Sequence, residues 1–211
     1  MSVKLSTKDN HIELFRKDGG FLCFPIPRYT DGKDHKAGGK SWQNTNPNII
    51  IKQDENYGLK PILGAGTAIG DLDDKERYRK YAESIAEAGY MVIETGKGWH
   101  IPIRGLTGNI SKMELHDYNV KDAKIIEIQG PKHYTVGAGS FIFHKELNHD
   151  VTYTNIGSDK IYDAKGQDFN DYVDELCKKC HVTGKKKEHG GSYSYLRKQF
   201  RKGELPHEKQ S

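Results

Sequence analysis

Gly70-Asp71-Leu72-Asp73-Asp74 is the stretch of this chain best suited to chemistry. It follows an apolar-to-small run over residues 62–69 and precedes a helical pattern. On a strand, side chains alternate, so Asp71 and Asp73 share a face while Leu72 points into the core. Carboxylates so placed lie about 7 Å apart and repel each other. A hard divalent cation such as Mg²⁺ or Mn²⁺ relieves that repulsion, because it prefers oxygen ligands. The same residues also suit a plainer purpose, ending a strand and capping the helix behind it.

Two further groups could join them. Thr95-Gly96-Lys97-Gly98 reads as a turn that offers backbone N–H groups and one ammonium, a combination that can cradle phosphates, and His100 follows it. Glu127 is the single acid inside Lys124-Ile125-Ile126-Glu127-Ile128-Gln129. Ile126 and Ile128 claim one face of that strand, so Glu127 takes the other. An acid there runs against strand propensity. It is either a guard against edge pairing or a third metal ligand.

The elements that must hold these groups follow from periodicity. Residues 1–20 are polar, with one short helical pattern at Ile12, Leu14 and Phe15. Residues 21–27 read as a buried strand closed by prolines, 28–40 as a loop, and 48–52 as a second strand. Residues 65–73 form the acidic strand. Residues 75–88 form a helix with Tyr78, Tyr81, Ala82, Ile85 and Ala86 on one face, and Gly89 sits where a left-handed cap belongs. Residues 90–94 and 99–103 are the next strands, 114–122 are ambiguous, and 124–129 with 133–137 form a hairpin across Gly130-Pro131-Lys132. The expected class is α+β, with helices on a mostly antiparallel sheet.

Composition bounds the rest. The chain has 211 residues, 35% of them hydrophobic, and a mean hydropathy of -0.81. It has no run of about 18 apolar residues and no N-terminal signal pattern, so no membrane partner is expected. An odd count of three cysteines points to a reducing, cytoplasmic setting. The net charge of +4 is uneven: residues 1–175 carry 23 Lys and Arg against 26 Asp and Glu, and residues 176–211 carry 10 against 3. A mildly acidic body with a basic tail suits a polyanionic partner.

Four motifs in order now resemble a known family: Asp-Leu-Asp at 71–73, Thr-Gly-Lys-Gly-Trp-His at 95–100, Ile-Ile-Glu-Ile-Gln-Gly at 125–130, and Tyr-Thr-Val-Gly-Ala-Gly-Ser at 134–140. Together with Phe21-Leu22-Cys23-Phe24-Pro25 and Gly39-Lys40-Ser41-Trp42, they resemble the archaeo-eukaryotic primase superfamily. The likeness is greatest to the plasmid- and virus-type bifunctional primase–polymerases, over roughly residues 20–155. The resemblance implies a catalytic half like an RNA-recognition motif, about residues 63–160, packed on a smaller N-terminal αβ unit, about residues 1–62. Together these make a catalytic domain of residues 1–175, followed by a basic appendage at 176–211.

The resemblance also implies template-directed nucleotide transfer, as a DNA primase and DNA polymerase of plasmid or viral replication. Asp71, Asp73 and Glu127 take the places of the catalytic metal ligands, for two Mg²⁺ or Mn²⁺ ions. His100 takes the place of the phosphate-contacting histidine, and Lys97, Lys40 and Ser140 complete the expected nucleotide-binding set. Gly98 stands where many members carry Ser, which puts one phosphate hydrogen bond in doubt or leaves it to the backbone. The implied partners are single-stranded DNA and nucleoside triphosphates, with any helicase a separate chain. The chemistry is consistent: two ions about 3.5–4 Å apart activate a 3′-hydroxyl and stabilise pyrophosphate. A non-catalytic single-strand-binding replication module and a metal nuclease are the alternatives.

The remaining residues leave choices open. Residues 167–180 carry Phe169, Tyr172, Val173, Leu176, Cys177 and Cys180 at helical spacing. Cys177-Lys178-Lys179-Cys180-His181 also spells a haem c attachment pattern, which would require export. Zinc would need two further ligands, and the spacing of Cys23, His181 and His189 is not diagnostic. The thiols already belong to an apolar face, so they are read as core groups. Residues 183–191 read as a Lys/Gly linker with Lys185, Lys186 and Lys187. Residues 192–203 read as a short basic helix carrying Arg197 and Arg201. Template binding by these cations and simple packing on the body are both consistent with the pattern.

Overall fold

Alternation along Lys124–Gln129 sorts this strand between two environments: Ile126 and Ile128 are 0% exposed in one hydrophobic cluster, and Glu127 and Gln129 face the other way. The computed structural model in which this is seen describes residues 8–17, 20–28, 46, 49–117, 124–144, 146–182 and 184–187. Its elements in chain order are α1 (Lys8–Lys17), β1 (Phe21–Ile26), β2 (Asn56–Pro61), β3 (Ala68–Leu72), α2 (Lys75–Glu87), β4 (Ile93–Glu94), β5 (Trp99–Arg104) and β6 (Met113–His116). They continue with β7 (Lys124–Gln129), β8 (Thr135–Val136), β9 (Phe141–His144), β10 (His149–Thr152), β11 (Thr154–Asn155), β12 (Tyr162–Asp163), α3 (Phe169–Lys179) and β13 (Gly184–Lys187). The protein is α+β, with mostly antiparallel sheets and three helices among the described residues.

The large sheet runs β11-β4-β5-β3-β7-β6-β13, with β12 added in parallel to β5. β3 lies at its centre, antiparallel to β5 on one side and β7 on the other. One face is packed by α2 and α3: Leu72, Trp99, Ile101, Leu115 and Ile126 meet Tyr78, Ala82, Phe169 and Leu176 in one cluster. Each such buried aliphatic side chain contributes about 1.5–3 kcal/mol. Ile69 and Ile93 face the second cluster, shared with α1 and the small sheet β1-β2-β8 through Phe15, Phe24, Tyr57 and Val136. Among the described residues no helix is long and apolar enough to cross a membrane.

The helices begin where their sequences can be capped. Asp74 is the N-cap of α2, its carboxylate accepting from the Arg77 N–H at 3.0 Å. Gly89, just past the helix, has φ +84°, the left-handed conformation that glycine reaches without cost. Asp168 caps α3 in the same way through the Asn170 N–H. Cys177 and Cys180 are each 5% exposed within the cluster under α3.

Several expectations change. Residues 49–52 form no strand; Ile50 is 82% exposed, and the partner of β1 is instead β2, whose Gly58, Lys60 and Pro61 disguised it. Residues 133–137 do not pair with β7, because β3 and β6 already occupy both of its edges; β8 crosses to β2. Only Ile93–Glu94 of residues 90–94 is a strand, since the Met91 N–H goes to the Lys160 carbonyl and the Val92 N–H to Asn155 Oδ1. The expected linker at 183–191 contains β13, which pairs with the outer edge of β6. The expected boundary at 175/176 therefore falls inside α3, and β13 extends the large sheet as far as residue 187.

Candidate active site

The register of the large sheet sets the candidate residues in a row. Asp71 is paired with His100 on β5 and with Glu127 on β7, and Glu127 is paired in turn with Glu114 on β6. Residues directly opposite in antiparallel strands present their side chains to the same face, with Cβ atoms about 4.5–5.5 Å apart. This is the face opposite Leu72, Ile101 and Ile126, and so opposite α2 and α3. Asp73 lies one residue beyond β3. Asp71, Asp73, Lys97 and His100 all line one cavity of about 340 Å³, whose other wall is formed by Tyr134, Thr135, Val136, His144 and Tyr153. Of Asp71, Asp73 and Asp74, the third is absorbed by the helix cap and the first two line the cavity.

His100 is fixed from three sides. It is 6% exposed, its Nδ1 is 3.0 Å from the Val136 carbonyl, and its ring meets Tyr153 edge-on at 5.7 Å. A carbonyl only accepts, so Nδ1 carries the proton. Nε2 lies 3.4 Å from Asp71 Oδ1. It follows that Nε2 can donate to a phosphate oxygen only when the ring is an imidazolium.

The turn before His100 is packed against the end of β3. A Cβ on Gly98 would stand 1.6 Å from the Leu72 carbonyl oxygen, and one on Gly96 would stand 2.7 Å from His144 Cδ2. That is why Gly98 fits where a Ser would not. Thr95 Oγ1 accepts from the Gly98 N–H at 3.0 Å and from the Lys97 N–H at 3.4 Å. These two amides are therefore engaged within the turn. The remaining anion-binding group of the turn is the Lys97 ammonium, here paired with the Glu146 carboxylate, which is 67% exposed.

Glu127 differs from the aspartates. Its side chain is 8% exposed, Gln129 Nε2 donates to its Oε2, and Lys112 Nζ stands 3.3 Å from its Oε1. The oxygen Oε1 is within ion-pair range of Lys112 but outside hydrogen-bond geometry, and the ionic contact is the one that matters for its charge.

Ser140 is not brought to the cavity: it is 0% exposed and its Oγ accepts from the Tyr57 N–H at 3.2 Å. Its place is in the wall between β8 and β9, where a buried backbone donor needs an acceptor. Lys40, Arg197 and Arg201 lie outside the described residues. Lys185, Lys186 and Lys187 are in β13, with Lys186 in register with Glu114. Sequence reasoning missed Lys112, Glu114 and Gln129; their two-residue offsets across 112–114 and 127–129 were the available signal. His144, Tyr153 and Glu146 had none, since tertiary packing brings His144 and Tyr153 to the cavity and sets Glu146, in the β9–β10 turn, against Lys97.

Among the described residues no three His, Cys, Asp or Glu side chains form a group that could hold a metal ion by themselves. The donor set present is a pair of hard carboxylates, Asp71 and Asp73, on one open cavity. Mg²⁺ is commonly held by one or two carboxylates, with water and substrate phosphates completing its shell. The pair fits an ion of that kind. No protein-family model matches the chain, and no curated protein matches it.

Proposed function

We propose that this chain is a metal-dependent, template-directed nucleotidyltransferase, a DNA primase–polymerase whose large sheet is the RNA-recognition-motif-like catalytic half. The observation that carries the reading is the register Glu127–Asp71–His100 on one face of three adjacent strands, with Asp73 and Lys97 on the same cavity. The resemblance in motif order supports it independently. The template is single-stranded DNA and the substrates are nucleoside triphosphates.

Each residue has a derivable task. Asp71 and Asp73 would hold the divalent ion, Mg²⁺ or Mn²⁺, which supplies Lewis acidity at the phosphoryl oxygens and lowers the pKa of the attacking hydroxyl. Lys97 exchanges Glu146 for the triphosphate, a change that costs little because exposed ion pairs contribute about 0–1 kcal/mol. His100, held at Nδ1 by Val136, offers Nε2 to the same phosphates. Fixed cations near developing negative charge stabilise the transition state more than the ground state. Tyr134 and Tyr153 line the far wall of the cavity.

Incubation with a primed template, Mn²⁺ and deoxynucleoside triphosphates tests the reading. Extension supports it, retention of the strand without extension favours a binding module, and shortening favours a nuclease. Asp71→Ala and Asp73→Ala should each lower extension by more than about a thousandfold, since loss of the ion removes several kcal/mol from the transition state. Fold and DNA retention should persist, because removing a carboxylate there relieves repulsion. Extension within about tenfold of the parent would remove both residues from the mechanism. Synthesis on an unprimed circular single strand then separates priming from extension.

A further inference from the structure

The acidic row carries a cation that the nucleotide-transfer reading does not use. Lys112 precedes β6 by one residue and stands two positions before Glu114, so both side chains reach the face of Glu127. Lys112 Nζ lies 3.3 Å from Glu127 Oε1 and 3.8 Å from Glu114 Oε1, and its side chain is only 16% exposed. Gln129 Nε2 donates to the other oxygen of Glu127. Both oxygens of the third acid thus face donors of the chain itself. Without the ammonium, Glu114, Glu127 and Asp71 would be three like charges on successive strands, which is destabilising. A largely buried lysine persists in such a place only while its carboxylates compensate its lost hydration.

We propose that Lys112 supplies, as a fixed ammonium, the positive charge that a second divalent ion would bring to Glu127, so that the site takes one ion, at Asp71 and Asp73. The inference rests on the metal-dependent reading above and narrows it. An ion arriving at Glu127 would have to displace an ammonium shared by two carboxylates and a Gln129 hydrogen bond. Asp71 and Asp73 instead line the open cavity, where an ion can enter with its water and the substrate phosphates. Lys112 is therefore a positioning residue, which holds Glu127 beside Asp71 and tunes the charge of the row without touching substrate.

Counting bound Mn²⁺ on the full chain, by electron paramagnetic resonance of the free ion, tests this with the metal alone. The parent should bind one ion per chain, lost in Asp71→Ala. Lys112→Arg should bind one. Lys112→Met, which keeps the apolar stem, should bind two, and Lys112→Met combined with Glu127→Gln should return to one. Glu127→Gln in the otherwise unaltered chain guards against a misfolded Lys112→Met: it should still bind one ion, with affinity within about threefold of the parent. Two ions in the parent, a single ion in folded Lys112→Met, or loss of the ion in Glu127→Gln each overturns the proposal and leaves metal dependence standing. A parent that binds no Mn²⁺ overturns metal dependence itself.

Discussion

His100 donates through Nδ1 to the carbonyl of Val136, at 3.0 Å, and this bond ties the central sheet to β8 of the small one. The bond decides which nitrogen is left for chemistry. His100→Ala removes the group that faces Asp71 and orphans a carbonyl acceptor in the same step. The loss of a hydrogen bond to a charged phosphate, about 1.5–3 kcal/mol, predicts a nucleotide KM raised roughly ten- to hundredfold. Affinity for single-stranded template should stay near that of the parent. Steady-state kinetics beside a DNA-binding titration checks both: template affinity lost with KM unchanged places His100 on the DNA path.

Gly98 is predicted to tolerate no side chain. A Cβ 1.6 Å from the Leu72 carbonyl oxygen meets backbone, so the turn or the end of β3 must move. Overpacking of this kind costs about 1–3 kcal/mol. For a chain of this size that lowers Tm by several degrees, at roughly 2–4 °C per kcal/mol. Gly98→Ala should show that shift in a thermal melt, together with weaker nucleotide binding as Lys97 and Asp73 are displaced. An unchanged Tm would mean the turn can shift away from β3 freely.

The basic tail yields a prediction in two parts. Truncation after residue 182 removes β13 and exposes the edge of β6, so it should lower Tm relative to truncation after residue 187, which keeps β13. If residues 183–202 hold template phosphates, the salt slope of single-strand binding should fall by about 0.7 for every phosphate the shortened chain no longer neutralises. Binding isotherms at several salt concentrations read this directly. An unchanged slope in both truncations means that the tail packs on the body or stays in solvent.

The buried thiols predict how stability falls in alkali. Burial pushes the Cys23 thiol up to about 12 and does the same to Cys180. The unfolded chain releases these protons near the ordinary thiol value, so the fold keeps its full stability below about pH 9 and loses it as pH rises toward 12. The slope is at most about 1.4 kcal/mol per pH unit for each group. Burial raises the phenols of Tyr57 and Tyr172 as well, which steepens the loss above about pH 10. Urea melts across this range give the slope. In the same picture Cys23, Cys177 and Cys180 should resist iodoacetamide in the native protein and all react once it is unfolded.

What the chain alone determined is local. Asp74 and Gly89 bracket α2, Asp168 and the apolar stripe from Phe169 to Cys177 make α3, and Ile126 and Ile128 turn Glu127 to the opposite face. These follow from caps, backbone preferences and periodicity, which act within a few residues. Pairing is another matter. Nothing near residues 56–61 marks Asn-Tyr-Gly-Leu-Lys-Pro as the partner of β1, because its pairing rests on contacts with chain far away in sequence. The hairpin expected at residues 124–137 fails for the same reason: both edges of β7 were taken by strands from elsewhere. The acids and His100 were legible as residues, but their alignment in one row depends on register, which the whole sheet sets. Glu146 on Lys97, Lys112 on Glu127 and Val136 on His100 qualify the roles of those residues, and each joins positions on different elements or loops. Tertiary structure alone decides them, because a charge finds its partner by distance in space and not by spacing along the chain.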